Sequence, residues 1–565
     1  MTSLRVPALV ATLALIPLAS PAPAAACGGF FCDNAQPVNQ QAERIIFAEE
    51  PDGTVTAVIQ ITYAGPSERF AWMLPVAGVP DIAVSSNAAF NRLQQASNPV
   101  YTMDVEVEGV CMQASRSPEN TAVAFDDMGM TEVDMGVDGG PVTVVGEGTV
   151  GPYDFVIVSL DPGAEDLVDV AIEWLQDNGY DVPAMGSDVL RPYLEAEMNL
   201  LAFRLTKGND AGAIRPVRLS FGAGLPSIPL RPTAVAAEPD MGILVWVLGE
   251  SRAVPANYRD LELNEAYIDW FRPNATYDDV VTRAANEAGG QGFVTEMSGS
   301  APELGAVVWT ERDAARWDLL RTTDWAGNEG QLLANASLFL PLDGMREVLG
   351  RTLERPEGVS EQMLLDALFF YFDRFAEDIP GLEPERFLAD LAAEVVEPMV
   401  ATQALFERAA VQTRLYTTMS PGEMTMDPVF DFNADLGPLS NQHRVTRVVE
   451  CAPNVRFSEA SWRVELASGD VVRGTGRSWP FDPASDAMPA SARVKRIGNE
   501  GEGELVEDNA AAIRAAIAEH NATVPNPRWV ESSDFCAAGA PGSSAGFGAL
   551  ALVFAALGLR RRRCS

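Results

Sequence analysis

Apolar and polar side chains alternate along "TVTAVIQITYAG" (Thr54 to Gly65), the period of a strand with one face buried. "RIIFAEE" precedes it, and "PDG" (Pro51 to Gly53) lies between, so the two runs predict a hairpin closed by a glycine turn. "RFAWMLPV", "DVEVEGV", "PVTVVGEGTVGPYDFVIVSL", "NLLAFRLT", "IRPVRLSF" and "GILVWVL" predict further strands, because their valine, isoleucine and aromatic content suits a pleated, packed surface. Helical periods interrupt this series. In "DPGAEDLVDVAIEWLQDNGY", Asp161 is placed as N-cap, Pro162 in the first turn and Gly179 as the stop. Leu167, Val170, Ala171, Trp174 and Leu175 then share one apolar face. A second helix is expected from Thr276 to Ala288, ended by Gly289 and Gly290. Strands with inserted helices but no regular alternation predict an α+β fold, β-rich at its N-terminal end.

Beyond residue 345 the texture changes. "SEQMLLDALFFYFDRFAED" and the run from Glu383 to Met419 both read as helical, the second kinked or divided at Pro398. "HRVTRVVE", "SWRVELASGDVVRGTG" and a helix near Glu507 to His520 suggest a smaller mixed unit. At 565 residues the chain exceeds one ordinary core. Its expected divisions are a signal peptide over 1–26, a β-rich domain over 27–345, a helical and mixed region over 346–530, and a linker with a terminal tail over 531–565.

The two ends carry address information. The N-terminal segment has Arg5, an apolar stretch from Val6 to Ala19, and small residues Ala24 to Ala26, the pattern of a secretory signal cut after Ala26. Cys27 would then come first; Ala24 stands where a lipoprotein signal needs a branched aliphatic residue, which favours ordinary secretory cleavage. At the other end, Ala545 to Leu559 offers 15 apolar or small residues before Arg560, Arg561, Arg562 and Arg563. That is short of the roughly 20 needed to span a bilayer, so the segment is better suited to a transient stop than to a permanent anchor.

Export changes the reading of the cysteines. Cys27, Cys32, Cys111 and Cys451 form an even set, expected as two disulfides, with three connectivities open. Charge narrows the partners. There are 79 acids against 40 bases, net −39, and the only lysines are Lys207 and Lys495. Cuts at Ala26 and Cys536 would remove five arginines and no acids from that −39, leaving a body near −44. Such a surface repels nucleic acid and anionic lipid.

Candidate chemistry is sparse. Only two histidines occur, His443 and His520, expected as a loop residue and a helix-end residue respectively. No hydrolase elbow, zincin, Walker or dinucleotide motif is present. The best metal candidate is "DFNADLG", where Asp431, Asn433 and Asp435 alternate as in the first half of a calcium-binding EF-hand loop. It departs from that pattern at Leu436, where glycine is required, and at Gln442, where glutamate is required. The acidic stretch Phe125 to Gly140 reads as a solvated hairpin, Trp246 as core, and Trp270 with Phe271 as candidates for an exposed ligand groove.

"CGGFFC", "FAWMLPV", "VGPYDFVIVS", "WLQDNGYDVP", "IPLRPTAVAAEPDMGILVWVLGESRAVPANY" and "GGQGFVTE" together resemble the bacterial family known as domain of unknown function 2330. The resemblance runs from about Cys27 to Met297. It implies an exported envelope protein and carries no catalytic residue with it. The tail, with Cys536, an apolar segment and an arginine cluster, is similar to the MYXO-CTERM sorting signal. That similarity implies sorting machinery as a partner, processing near Cys536 and display at the cell surface. The combined expectation is a cell-surface, non-catalytic binding or structural ectodomain whose external ligand is unknown. The alternative is an extracellular hydrolase using carboxylates or a bound divalent cation.

Overall fold

The computed structural model describes residues 39–64, 71–112, 142–163, 166–178, 186–205, 214–222, 224–353, 363–366, 382–453 and 455–525. The strands are β1 (Asn39–Glu49), β2 (Val55–Ala64), β3 (Ala71–Val76), β4 (Asp81–Val84), β5 (Val100–Glu108), β6 (Val142–Val150), β7 (Tyr153–Leu160), β8 (Asn199–Leu205), β9 (Val217–Phe221) and β10 (Ala237–Gly249). They continue with β11 (Arg252–Pro255), β12 (Arg259–Leu263), β13 (Gly292–Ser300), β14 (Val411–Met419), β15 (Phe430–Asn433), β16 (Gln442–Glu450), β17 (Ser461–Glu465), β18 (Val471–Thr475), β19 (Ser491–Arg496) and β20 (Glu504–Asp508). With the helices between them they make a mixed α+β fold.

Ten strands form one sheet in the order β20-β19-β12-β13-β14-β10-β1-β2-β9-β4. At its centre β1 runs parallel to β10, and both are buried on both faces, which explains why "GILVWVL" is an unbroken apolar run. The pleat sends alternate residues to opposite cores. Ile46, Ala48, Leu244, Trp246 and Leu248 face a layer of helices drawn from Asn87–Ser97 and from residues 301–409. Ile45, Phe47, Ile243, Val245 and Val247 face the second sheet, β3-β8-β7-β6, through Trp72, Leu74, Tyr153 and Phe203. The far side of that second sheet is covered by the helices Leu167–Asp177 and Gly186–Glu195. Four layers result: helices, large sheet, small sheet, helices. At the β12–β20 end, a third sheet, β18-β17-β16-β5, packs with the helices Tyr277–Glu287 and Ala510–Thr523 around Trp462, Val464, Val280 and Ile517.

The β1–β2 hairpin forms as its alternation requires, with Gly53 at φ 82° in the turn. The helix Tyr277–Glu287 stops where Gly289 and Gly290 both take positive φ, and the Gly290 N–H closes back on the Ala285 carbonyl. Elsewhere the elements shift. Asp161 does not cap a helix: its Oδ1 accepts from the Gly163 N–H in a turn, and the helix begins after Asp166. Of the expected face Ala171 and Leu175 are buried, together with Val168, while Leu167, Val170 and Trp174 are partly buried against the same cluster. The run from Glu383 to Met419 is helical only to Arg408; Val411–Met419 is β14, in the middle of the large sheet. Pro398 does mark an irregularity. It has no N–H to donate, and the chain forms a π-helical turn at Ala392–Val396 just before it. Strands from either side of residue 345 interleave: β14 lies between β13 and β10, β16 beside β5, and β19 beside β12. Among the described residues, no helix is long and apolar enough to cross a membrane. The segments carrying Ala26, Cys27, Cys32, Cys536, the acidic stretch Phe125 to Gly140 and the terminal arginines lie outside the described residues, as does most of "SEQMLLDALFFYFDRFAED".

Candidate functional site

Where the helical layer, the large sheet and the third sheet meet, polar and aromatic side chains from six segments converge. The local cause is a β-bulge. Thr295 pairs with Leu415 and Met297 with Arg414, leaving Glu296 between them without a cross-strand partner. A bulge re-aims the extra side chain, and here it brings the buried Glu296 carboxylate to Arg414, with Oε2 2.5 Å from Nε. Arg414 spends its other donors on the end of the helix Asn87–Ser97: Nη1 to Ser97 Oγ and Nη2 to Asn98 Oδ1, both at 2.9 Å. Its guanidinium lies over the Trp246 ring, whose Nε1 also donates to Ser97 Oγ at 3.2 Å.

The second carboxylate oxygen of Glu296 accepts the Tyr277 hydroxyl. Tyr277 stacks on Tyr416, which donates to Asp278 Oδ1 at 3.4 Å. Tyr101 of β5 closes the group, lying edge-on to Trp270 and stacked on His443 at 4.4 Å. Burial pushes the Glu296 and Asp278 carboxyls above their ordinary values, opposed in Glu296 by Arg414 and Tyr277. It likewise raises Tyr101, Tyr277 and Tyr416, so these phenols remain protonated. Chemically the cluster is a clamp. Both Glu296 oxygens are engaged, and the tyrosines are neutral donors.

Of the residues singled out from sequence, Trp246 belongs to this cluster, Trp270 and His443 border it through Tyr101, and the others lie elsewhere. His443 is a strand residue of β16, not a loop residue, and its Nδ1 pairs with Glu265 Oε1 at 2.8 Å. His520 pins the helix Ala510–Thr523 to β18 by donating to the Arg473 carbonyl at 2.9 Å. Trp246 is fully buried, as expected; Trp270 is buried too and Phe271 is half-buried against Trp462, so neither lines an exposed groove. Asp431, Asn433 and Asp435 are each held by backbone groups nearby. Asp431 Oδ1 accepts from the Phe432 N–H, and Asp435 Oδ2 from the Gly501 N–H. Asn433 is fully buried at the end of β15, and its Nδ2 donates to the Gly498 and Gly501 carbonyls. Among the described residues no three His, Cys, Asp or Glu side chains gather as metal ligands. An open cleft of about 480 Å³ beside the helix Tyr277–Glu287 presents Asp279 and Glu287, but its Arg283 is tied to the carbonyls of Pro483, Asp486 and Met488.

Of the four candidate cysteines, Cys111 and Cys451 form a disulfide. They follow β5 and β16, which run parallel over nine residue pairs from Gln442↔Val100 to Glu450↔Glu108. The bond therefore fastens the ends of two strands separated by 340 residues in sequence.

The fold and this junction define a multilayer α+β protein braced by a long-range disulfide. The chain belongs to the DUF2330 family, described as uncharacterized proteins conserved in bacteria, whose sequence profile matches residues 21–308, just over half of its length. No curated protein and no solved structure shows significant similarity to it.

Proposed function

We propose that this protein is an exported ectodomain of the bacterial cell envelope that binds or braces other components and is not a catalyst. The Cys111–Cys451 disulfide carries this reading. Reducing systems keep cytosolic thiols free, whereas a bond between strand ends persists in an oxidising compartment. The N-terminal signal pattern with its Ala26 cut, and the tail with Cys536 and four arginines, supply the matching route out and the hold on the surface. The net charge of −39 suits a soluble surface-displayed body that avoids nucleic acid. Non-catalysis is supported by the engagement of Glu296, His443 and Asn433 with the protein's own groups.

Peptide mass spectrometry on protein from freshly fractionated cells tests this. The expected result is an envelope-fraction protein beginning at Cys27, with the Cys111 and Cys451 peptides linked until reduction. Recovery in the cytosol with both thiols open to alkylation overturns it. Cys536→Ala is expected to release the protein from the surface; unchanged retention would instead favour a simple membrane anchor.

A further inference from the structure

Among the described residues three arginines are buried: Arg215, Arg414 and Arg447. The first lies 3.8 Å from Glu394 and the second 2.5 Å from Glu296. Arg447, only 4% exposed, makes no ion pair among the described residues, in a chain where acids outnumber bases about two to one. Its guanidinium lies over Phe271 at 4.8 Å and Trp462 at 5.6 Å. Nη2 donates to the Gly476 carbonyl at 2.7 Å, a carbonyl already shared with Trp462 Nε1, while Nε is buried without a partner. Burial lowers its pKa, and so does a second cation, the exposed Arg477 that follows Gly476 in the chain. A buried cation is normally held by a counter-charge or a full set of hydrogen bonds. Aromatic faces stabilise it only in part, and Arg477 works against it.

The setting indicates what would complete the site. Val105 faces Arg447 directly across the β5–β16 pair and is half exposed, so the strand beside this buried cation is open to solvent. Val107, two residues on, is equally exposed, so an apolar lip borders the cation. A planar guanidinium fork matches an oxyanion. The strongly negative body penalises each additional negative charge on a ligand, which favours a monoanion over phosphate or sulfate. We propose that Arg447, with Arg477 at its rim, binds the carboxylate of a singly charged organic acid whose apolar part rests on Val105 and Val107. This site is separate from the envelope reading: anion binding and cell location are measured independently, and either can fail alone.

The test is titration of the purified, oxidised protein with hexanoate at constant ionic strength, followed by calorimetry, with acetate and inorganic phosphate as comparison probes. Saturable hexanoate binding is expected, at least 3-fold weaker for acetate and for phosphate. Arg477→Gln, an exposed change that spares the core, is expected to weaken hexanoate at least 3-fold, and Arg447→Lys, which loses the planar fork, at least 10-fold. Absence of saturable binding, or affinities unchanged in Arg477→Gln, would overturn the site. Phosphate binding as tight as hexanoate would overturn the carboxylate assignment. If Arg447→Lys fails to fold, the Arg477→Gln comparison decides.

Discussion

Glu43 offers a test of how the central sheet tolerates a buried acid. It lies on β1 between Ile61 of β2 and Ile243 of β10, on the same face as Ile45 and Phe47, and is 4% exposed. Its Oε2 has no hydrogen-bond partner among the described residues. Burial, with no compensating cation among the described residues, pushes the carboxyl from its ordinary 4.5 up to about 8. Between those values the folded state holds a proton that the unfolded chain has released. Stability therefore falls as pH rises across that window, the reverse of a salt-bridged acid. At about 1.4 kcal/mol per pH unit, the loss reaches about 3 kcal/mol at pH 7 and about 5 kcal/mol at pH 8 and above. That is a large share of the ~5–15 kcal/mol typical of a domain.

Glu43→Gln keeps the shape and removes the titration. Urea unfolding of wild type and variant at pH 4.5, 6, 7 and 8 should give a difference that grows in the variant's favour by about 3 kcal/mol between pH 4.5 and 7. Self-repulsion of the −39 charge also lowers stability as pH rises, but it acts on both proteins and largely cancels in the difference. Parallel pH profiles for the two proteins would refute the reasoning, because they would mean that Glu43 is ionised in the folded state.

Cys111→Ser with Cys451→Ser opens a 340-residue loop and should cost about 4–5 kcal/mol, read from urea midpoints and matched by wild type under reductant. Arg414→Met alone strands the Glu296 carboxylate and should cost about 3–5 kcal/mol; adding Glu296→Leu should restore much of that in a double-mutant cycle. Asn433→Ala leaves two carbonyls of the 498–501 turn without their donor and should cost about 2 kcal/mol, equally in calcium and in chelator; a calcium-dependent difference in melting would show that this loop holds the ion.

Much of the local structure is legible in the residues themselves. The β1–β2 hairpin, the β16 and β17–β18 strands and the Gly289–Gly290 stop each follow from a period or a turn within a few residues. β14 was hidden because "VQTRLYTTM" follows directly on a strong helix, although its threonines and its valine favour a strand. Asp161 is an adequate cap by type, but the backbone enters a turn there and the helix starts later. The clamp was not legible at all. Glu296 reaches Arg414 only because a bulge displaces it, and a bulge exists only once β13 has a partner in a particular register.

By itself, the sequence determines the α+β class, the excess of acids over bases and the elements whose periods are short enough to read within one segment. The tertiary structure alone decides that residues 100–108 lie beside 442–450, that Cys111 meets Cys451, and that Arg414 has a carboxylate while Arg447 has none among the described residues. The physical reason is range. Propensity and turn chemistry act between neighbours along the chain, whereas strand pairing and the burial of charge depend on which distant segments pack against one another to close the core.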